Sequence, residues 1–370
     1  MTGKDALKKK IRSGGRISPA EAESLFSWDL LELGEAADLR RRLVHPEETV
    51  GFILDRIINF TNICEAACDF CAFHSGAALK PYELSLPEIL SKVEELSERG
   101  GTQVMLQGGL HPGHTLDTYA GMLMEIKKRF PGIRLHSFSP SELWHIAKKS
   151  SLPLDTVIAE LQAAGLDSVP GAADLLVDRI RAKVSPKKIS RAGWVEVMRA
   201  LHRHGMKSSA TMTYGMGETE KERIAHLGVV RGVQDETGLF RAFIPWSFSP
   251  KHTRLESLAP ATGLDYLRIV AVSRIFLDNI RYIQAGWLTE GLKLAQLALA
   301  MGANDMGGVL TEEKVVRATG SGTSAGMREF IDLIRNAGKS PVLRDSDYKI
   351  LDRHPGWSEA TQFRIKRRLK

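Results

Sequence analysis

The chain has 370 residues, a 43% apolar share and a formal net charge of +7. That length suits one α/β barrel of ordinary size with terminal extensions. No stretch approaches the ~20 apolar residues of a membrane span, and the start lacks a signal-peptide pattern, so a cytoplasmic protein without a membrane partner is expected. The positive surplus lies in short runs, Lys8-Lys9-Lys10, Arg40-Arg41-Arg42 and the tail from Arg364 to Lys370. Such runs read as solvated helix faces or chain ends, so nucleic acid is not the expected partner.

Residues 1–47 read as a helical extension. Ser18-Pro19-Ala20-Glu21 joins a cap, a proline at the first helical position and an acid at the third. Leu30, Leu31, Leu33, Ala36, Leu39 and Leu43 then recur near helical spacing, as helices covering a barrel end would require. From Val50 onward, strand-like runs alternate with helical ones. Strands are predicted over 50–59, 103–107, 134–137, 168–169, 208–214, 241–246, 281–285 and, weakly patterned, 302–306. Amphipathic helices are predicted over 86–99, 116–129, 154–164, 192–204 and 220–237. Eight such alternations predict an α/β fold, a (β/α) TIM-type barrel, full or partial, over 48–310. Residues 311–370 are expected to form a C-terminal helical extension packed on the barrel.

The only cysteines, Cys64, Cys68 and Cys71, form a C-x₃-C-x₂-C loop after the first strand. An odd number with no distant partner argues against disulfides. Three clustered thiolates can ligate three irons of a [4Fe–4S] cube and leave the fourth iron open. Zinc, with His74 as a fourth ligand, is the alternative.

In a barrel of this type the active site sits where the strands end. The second strand ends in Gln107-Gly108-Gly109-Leu110-His111, where glycines allow close approach to a ligand or simply a tight turn. The third ends in His136-Ser137-Phe138-Ser139-Pro140-Ser141-Glu142, in which Ser139 reads equally as a helix cap or a ligand contact. Asp174 follows the fourth strand and Glu218 the fifth. Trp246, Trp287, Asn304 and Asp305 add aromatic and polar groups near the mouth.

The cysteine spacing, with Phe70 before the third cysteine, resembles the radical S-adenosylmethionine superfamily. Gln-Gly-Gly-Leu-His-Pro, His-Ser-Phe-Ser-Pro-Ser-Glu, Phe-Ile-Pro-Trp and Gly-Ala-Asn-Asp resemble its futalosine-pathway branch of menaquinone biosynthesis, together with the related deazaflavin synthases. The resemblance implies that Cys64, Cys68 and Cys71 hold a [4Fe–4S] cluster whose free iron chelates S-adenosylmethionine. Phe70, Phe73, Gln107, Gly108, Gly109, Ser139, Glu142 and Asp174 are then expected on the cofactor. It further implies a nucleoside-type small-molecule substrate and an electron donor such as flavodoxin or ferredoxin; a homodimer is left open. Within the branch the His136 stretch is most similar to enzymes that cyclise dehypoxanthine futalosine by joining a ribose radical to the benzoate ring. His136, Ser137 and Arg281 are candidate anchors for that carboxylate, with Trp246, Trp287, Asn304 and Asp305 as further substrate contacts. Glu218, Asp174 and His111 stand as alternative catalytic bases.

The chain departs from the branch pattern at His74-Ser75, Gly171–Asp174, Met216-Gly217 and Gly286, all near the expected pocket. Two other readings therefore stand. One is a divergent relative, for example aminofutalosine synthase-like, using the same radical on another nucleoside or aromatic substrate. The other is a basic iron–sulfur or zinc protein that binds nucleic acid.

Overall fold

Runs rich in β-branched and aromatic residues form the strands, and the longest of them organises the others. The structure is a computed structural model that describes residues 3–74, 79–310, 312–320 and 323–353. Its strands are β1 (Thr49–Asn59), β2 (Gln103–Gln107), β3 (Arg134–Leu135), β4 (Ser168–Val169) and β5 (Lys207–Tyr214), followed by β6 (Phe240–Ser247), β7 (Tyr282–Ile283), β8 (Asp305–Leu310), β9 (Ser340–Arg344) and β10 (Ile350–Asp352). β1 pairs with β2 through Asp55–Asn59, with β8 through Gly51–Asp55 and with β9 through Thr49–Phe52, always in parallel. β4-β5-β6-β7 form a second parallel sheet. Single parallel bridges, His136 to Ser168 and Gln284 to Asp305, join the two sheets. The first eight strands thus follow one another around a (β/α) barrel with two thin seams.

The helices pack outside with one apolar stripe each. Ile89, Leu90, Val93 and Leu96 are the buried face of the helix Leu86–Glu98, and Leu116, Tyr119, Leu123 and Ile126 that of Leu116–Arg129. The spacing of three and four residues places each set on one side. Capping boxes at Ser85/Glu88, Thr219/Glu222 and Thr262/Asp265 satisfy the free N–H groups where helices begin. The predicted Ser18 cap also forms, with Glu21 reciprocating. Leu33, Ala36 and Ala37 of Leu30–Val44 are buried and that helix packs on Gly263–Phe276, whereas Leu31 and Leu43 face solvent at 76% and 52% exposure. Periodicity alone had placed both leucines on the covered face.

The C-terminal extension departs from the helical expectation. It carries one helix, Met327–Asn336, and then the parallel strand β9 and antiparallel β10. The cause is nonlocal, because β9 takes its backbone partners from β1 at the far end of the chain. Arg344 at the end of β9 donates to both carboxylate oxygens of Asp305 on β8 at 2.6 Å, with both side chains almost wholly buried. β8 also starts later than predicted, since Gly302 occupies the left-handed region (φ +92) and ends the preceding helical turn. The basic tail 364–370 lies outside the described residues. Among the described residues no helix is long and apolar enough to cross a membrane.

Removing one partner of a buried ion pair strands the other charge. Arg344→Met is therefore expected to lower the unfolding free energy by about 3–5 kcal/mol, read as a shift of the urea midpoint. An unchanged midpoint would show that the pair does not hold β9 to the barrel.

Candidate active site

A cavity of about 430 Å³ occupies the inside of the ring, and Cys64, Cys68 and Cys71 all line it. Their loop follows β1 and is fixed at several points. The Glu65 N–H donates to Leu110 O (3.0 Å), Asp69 N–H to Val184 O (2.8 Å) and Cys71 N–H to Cys68 O (3.1 Å). The Asn62 side chain ties the loop to its return segment by donating to Lys80 O and accepting from Tyr82 N–H. All three thiols are free. Burial pushes the Cys68 thiol up to about 12 and raises that of Cys71. A buried thiolate therefore needs adjoining positive charge, which ligated iron supplies. Three sulfur donors on one cavity wall, without a fourth cysteine, fit a cluster with one open iron; His74 lines the same cavity.

The end of β2 lies directly under this loop. A Cβ on Gly109 would sit 2.2 Å from Ile63 O and 2.7 Å from Cys64 Cβ, and one on Gly108 would meet the Phe60 ring at 2.6 Å. The Leu110 N–H donates to Cys64 Sγ at 3.3 Å. Glu142 reaches back to this turn and accepts from the Gly108 N–H at 3.0 Å. Its backbone N–H donates to Ser139 Oγ, which caps the helix Pro140–Ser150. Ser139 thus caps the helix and also lines the cavity. Burial raises the Glu142 carboxyl to about 7. Asp174 accepts from Lys188 Nζ at 2.7 and 3.0 Å, and Lys188 lies over the Phe70 ring at 5.5 Å. Phe73 packs edge-on against Tyr82. Phe70, Phe73, Gln107, Gly108, Gly109, Ser139, Glu142 and Asp174 all lie on the cavity wall.

The far end of the cavity is cationic and aromatic. His136 Nδ1 lies 2.8 Å from Ser168 Oγ, and burial holds the imidazole neutral by pushing it well below its ordinary value. Arg241 Nη2 donates to Ser168 Oγ at 2.7 Å, while Nη1 reaches Asp347 on the turn between β9 and β10. Gln284 donates to the Tyr348 hydroxyl at 2.8 Å. Trp246, at the opposite end of β6 from Arg241 and on the side of Asp174 and the cysteines, donates from Nε1 to Thr213 Oγ1, and Trp287 Nε1 donates to Gly308 O.

Six residues predicted for the site lie off the cavity wall. Glu218 accepts from the Gly215 and Met216 N–H groups and from Arg223, so it shapes its own turn. Ser137 Oγ accepts from the Leu106 N–H and holds β3 to β2. Asn304 Oδ1 is taken by Arg274 and the Ile283 N–H. Asp305 lies behind Arg344 as its counter-ion. Arg281 is exposed beside Tyr282, and His111 stacks on His114 outside the barrel. The sequence reading missed Lys188, Arg241, Arg344 and Tyr348. Arg241 was detectable as a lone charge in an otherwise apolar strand; the others become neighbours of the site only through tertiary folding.

Residues 58–230 match the radical SAM superfamily, and residues 237–355 match the CofH/MqnC C-terminal region. The cyclic dehypoxanthine futalosine synthase of Streptomyces coelicolor is 43% identical over 351 residues, covering 93% of this chain and 88% of that protein. The chain belongs to the radical SAM superfamily. This radical SAM enzyme is also 41% identical to the cyclic dehypoxanthine futalosine synthase of Halalkalibacterium halodurans, over 94% of the chain and 95% of that protein. The 5-amino-6-(D-ribitylamino)uracil–L-tyrosine 4-hydroxyphenyl transferase of Archaeoglobus fulgidus is 43% identical over 86% of the chain and 92% of its own length. The fold is shared with methylornithine synthase, at a TM-score of 0.73 and 20% identity, over 90% of this chain and 97% of that one. Membership implies a [4Fe–4S] cluster and S-adenosylmethionine, which the sulfur trio fits.

Two outcomes follow from the site's packing. In Gly109→Ala the new methyl must displace the cysteine loop, at a cost of about 1–3 kcal/mol; iron and sulfide per chain after anaerobic loading are expected to fall below wild type. For Glu142, the folded carboxyl titrates near 7 against an ordinary value of 4.5. Its contribution to stability is full below pH 4.5 and is lost as pH rises through 7. Glu142→Gln should therefore gain on wild type across that window, by on the order of 3 kcal/mol in denaturant unfolding. A constant difference across the window would contradict the shift.

Proposed function

We propose that this radical SAM enzyme cyclises dehypoxanthine futalosine in menaquinone biosynthesis, as a cytoplasmic protein served by a one-electron donor such as flavodoxin or ferredoxin. The observation that carries the reading is the shared cavity, with three thiols on one wall and Arg241, His136 and two tryptophans on others. When bound, the cluster and S-adenosylmethionine supply a 5′-deoxyadenosyl radical. The chain's own residues position the reactants and exclude water. Gly108 and Gly109 let the cofactor approach the backbone, with Asp174 and Lys188 as a paired carboxylate and ammonium on the cavity wall beside Phe70. Arg241, a largely enclosed guanidinium, suits the benzoate carboxylate, and the Trp287 ring suits the arene, with Trp246 nearer the cysteine end. Ring closure removes one hydrogen atom from the ribose, which the deoxyadenosyl radical would take up as deoxyadenosine, then one proton and one electron from the arene. For that electron the acceptor would be the oxidised cluster, when bound. Glu142, with its carboxyl near 7, can accept that proton.

The equal identity to the tyrosine-dependent transferase supports a second reading, in which the same radical acts on tyrosine and a ribityl-uracil. Anaerobically loaded enzyme, reductant and S-adenosylmethionine separate the two. Dehypoxanthine futalosine is expected to stimulate deoxyadenosine release and yield a product lighter by two hydrogens. Stimulation by tyrosine with 5-amino-6-(D-ribitylamino)uracil, and not by the futalosine, would reverse the assignment. Arg241→Gln should raise KM for the futalosine about tenfold or more, the worth of a charge-assisted hydrogen bond, while substrate-free deoxyadenosine formation persists.

A further inference from the structure

Outside the barrel cavity, Glu83, His111 and His114 bring one carboxylate and two imidazoles together, with ligand atoms all within 4.8 Å of one another. Glu83 is held by a backbone bridge to Thr61, just before the cysteine loop. The two histidines sit on the loop after Gly109, their rings stacked with centroids 3.8 Å apart and planes at 23°. His114 Nε2 lies 2.7 Å from Glu83 Oε1, and His111 Nε2 lies 3.6 Å from Oε2. Ligand atoms bonded at 2.0–2.1 Å to a tetrahedral ion stand about 3.3 Å apart, and these two distances bracket that value.

Charge leads to the same place. Among the described residues, the ion pairs of Glu83 are with these two histidines alone. Glu83 and His114 also line a second cavity of about 380 Å³, together with Glu125.

We infer that Glu83, His111 and His114 form a second metal site, for a divalent ion of the zinc class bound by two imidazoles and a carboxylate. Two nitrogens and one oxygen suit such an ion better than magnesium or calcium, which take oxygen shells. Ligation through His111 Nε2 moves its proton to Nδ1 and gives up the Gly113 N–H bond to that atom, a contact at the surface where water replaces it. The bound ion clamps the segment before the helix Leu86–Glu98 to the loop after β2. That loop also carries Leu110, whose N–H donates to Cys64 Sγ, so the clamp stiffens a support of the cysteine loop.

The test titrates the full, cluster-loaded chain anaerobically with zinc chloride and follows uptake by metal analysis, with iron counted in the same sample. One zinc per chain is expected, with only nitrogen and oxygen neighbours in zinc-edge X-ray absorption. Glu83→Gln and His111→Asn should each weaken its binding at least tenfold; Glu83 is 47% exposed, so its replacement leaves the fold intact. No zinc uptake by wild type, sulfur in the zinc shell, or wild-type affinity in both variants would overturn the site.

Discussion

The approach of the cysteine loop to the backbone of Gly109 is the contact on which the active site depends. With 2.2 Å between a virtual Cβ and the Ile63 carbonyl, no side chain fits there. The glycine pair is thus a steric requirement of the loop as well as an opening for a ligand. Because the same turn gives its Gly108 N–H to Glu142 and its Leu110 N–H to Cys64 Sγ, a carboxyl and one of the three sulfurs share one short stretch of backbone. The third strand's helix, the second strand's turn and the first strand's loop are fixed together at the barrel mouth.

The barrel keeps two kinds of chemistry at opposite ends of one cavity. Near the sulfurs, Lys188 is neutralised by Asp174 and lies across Phe70. At the far end, Arg344 is neutralised by Asp305, whereas Arg241 shares its donors among the Ser168 hydroxyl, the Ser346 carbonyl and the half-exposed carboxylate of Asp347. Arg241 is therefore the floor cation better placed to exchange a partner for an incoming anion. This separation suits a substrate with an anionic end and a reactive end.

Much of the barrel was legible because local rules dominate it. β2 and the helices Leu116–Arg129 and Glu220–Thr237 fall where alternation, caps and apolar stripes place them. The place of the cysteines, Gly108-Gly109 and Glu142 on the cavity wall was legible because each stands at a strand end whose position those rules set. Arg281 and Asn304 misled for one reason: strand alternation fixes a face but not whether a polar group is already satisfied. Asn304 is occupied by Arg274, whose buried guanidinium had no sequence signal marking its partner. Glu218 misled in the same way, since a carboxylate beside two glycines can serve its own turn as well as a ligand.

The strand pair β9–β10 has a bearing on biogenesis. Arg344 and Tyr348 belong to the cavity lining, yet they lie after the last of the eight ring-forming strands. During vectorial synthesis every ring strand leaves the ribosome before the residues that complete the floor. The counter-ion of Asp305 and part of the cavity floor are therefore supplied from outside the eight-strand ring, by a segment later in sequence than every strand it closes.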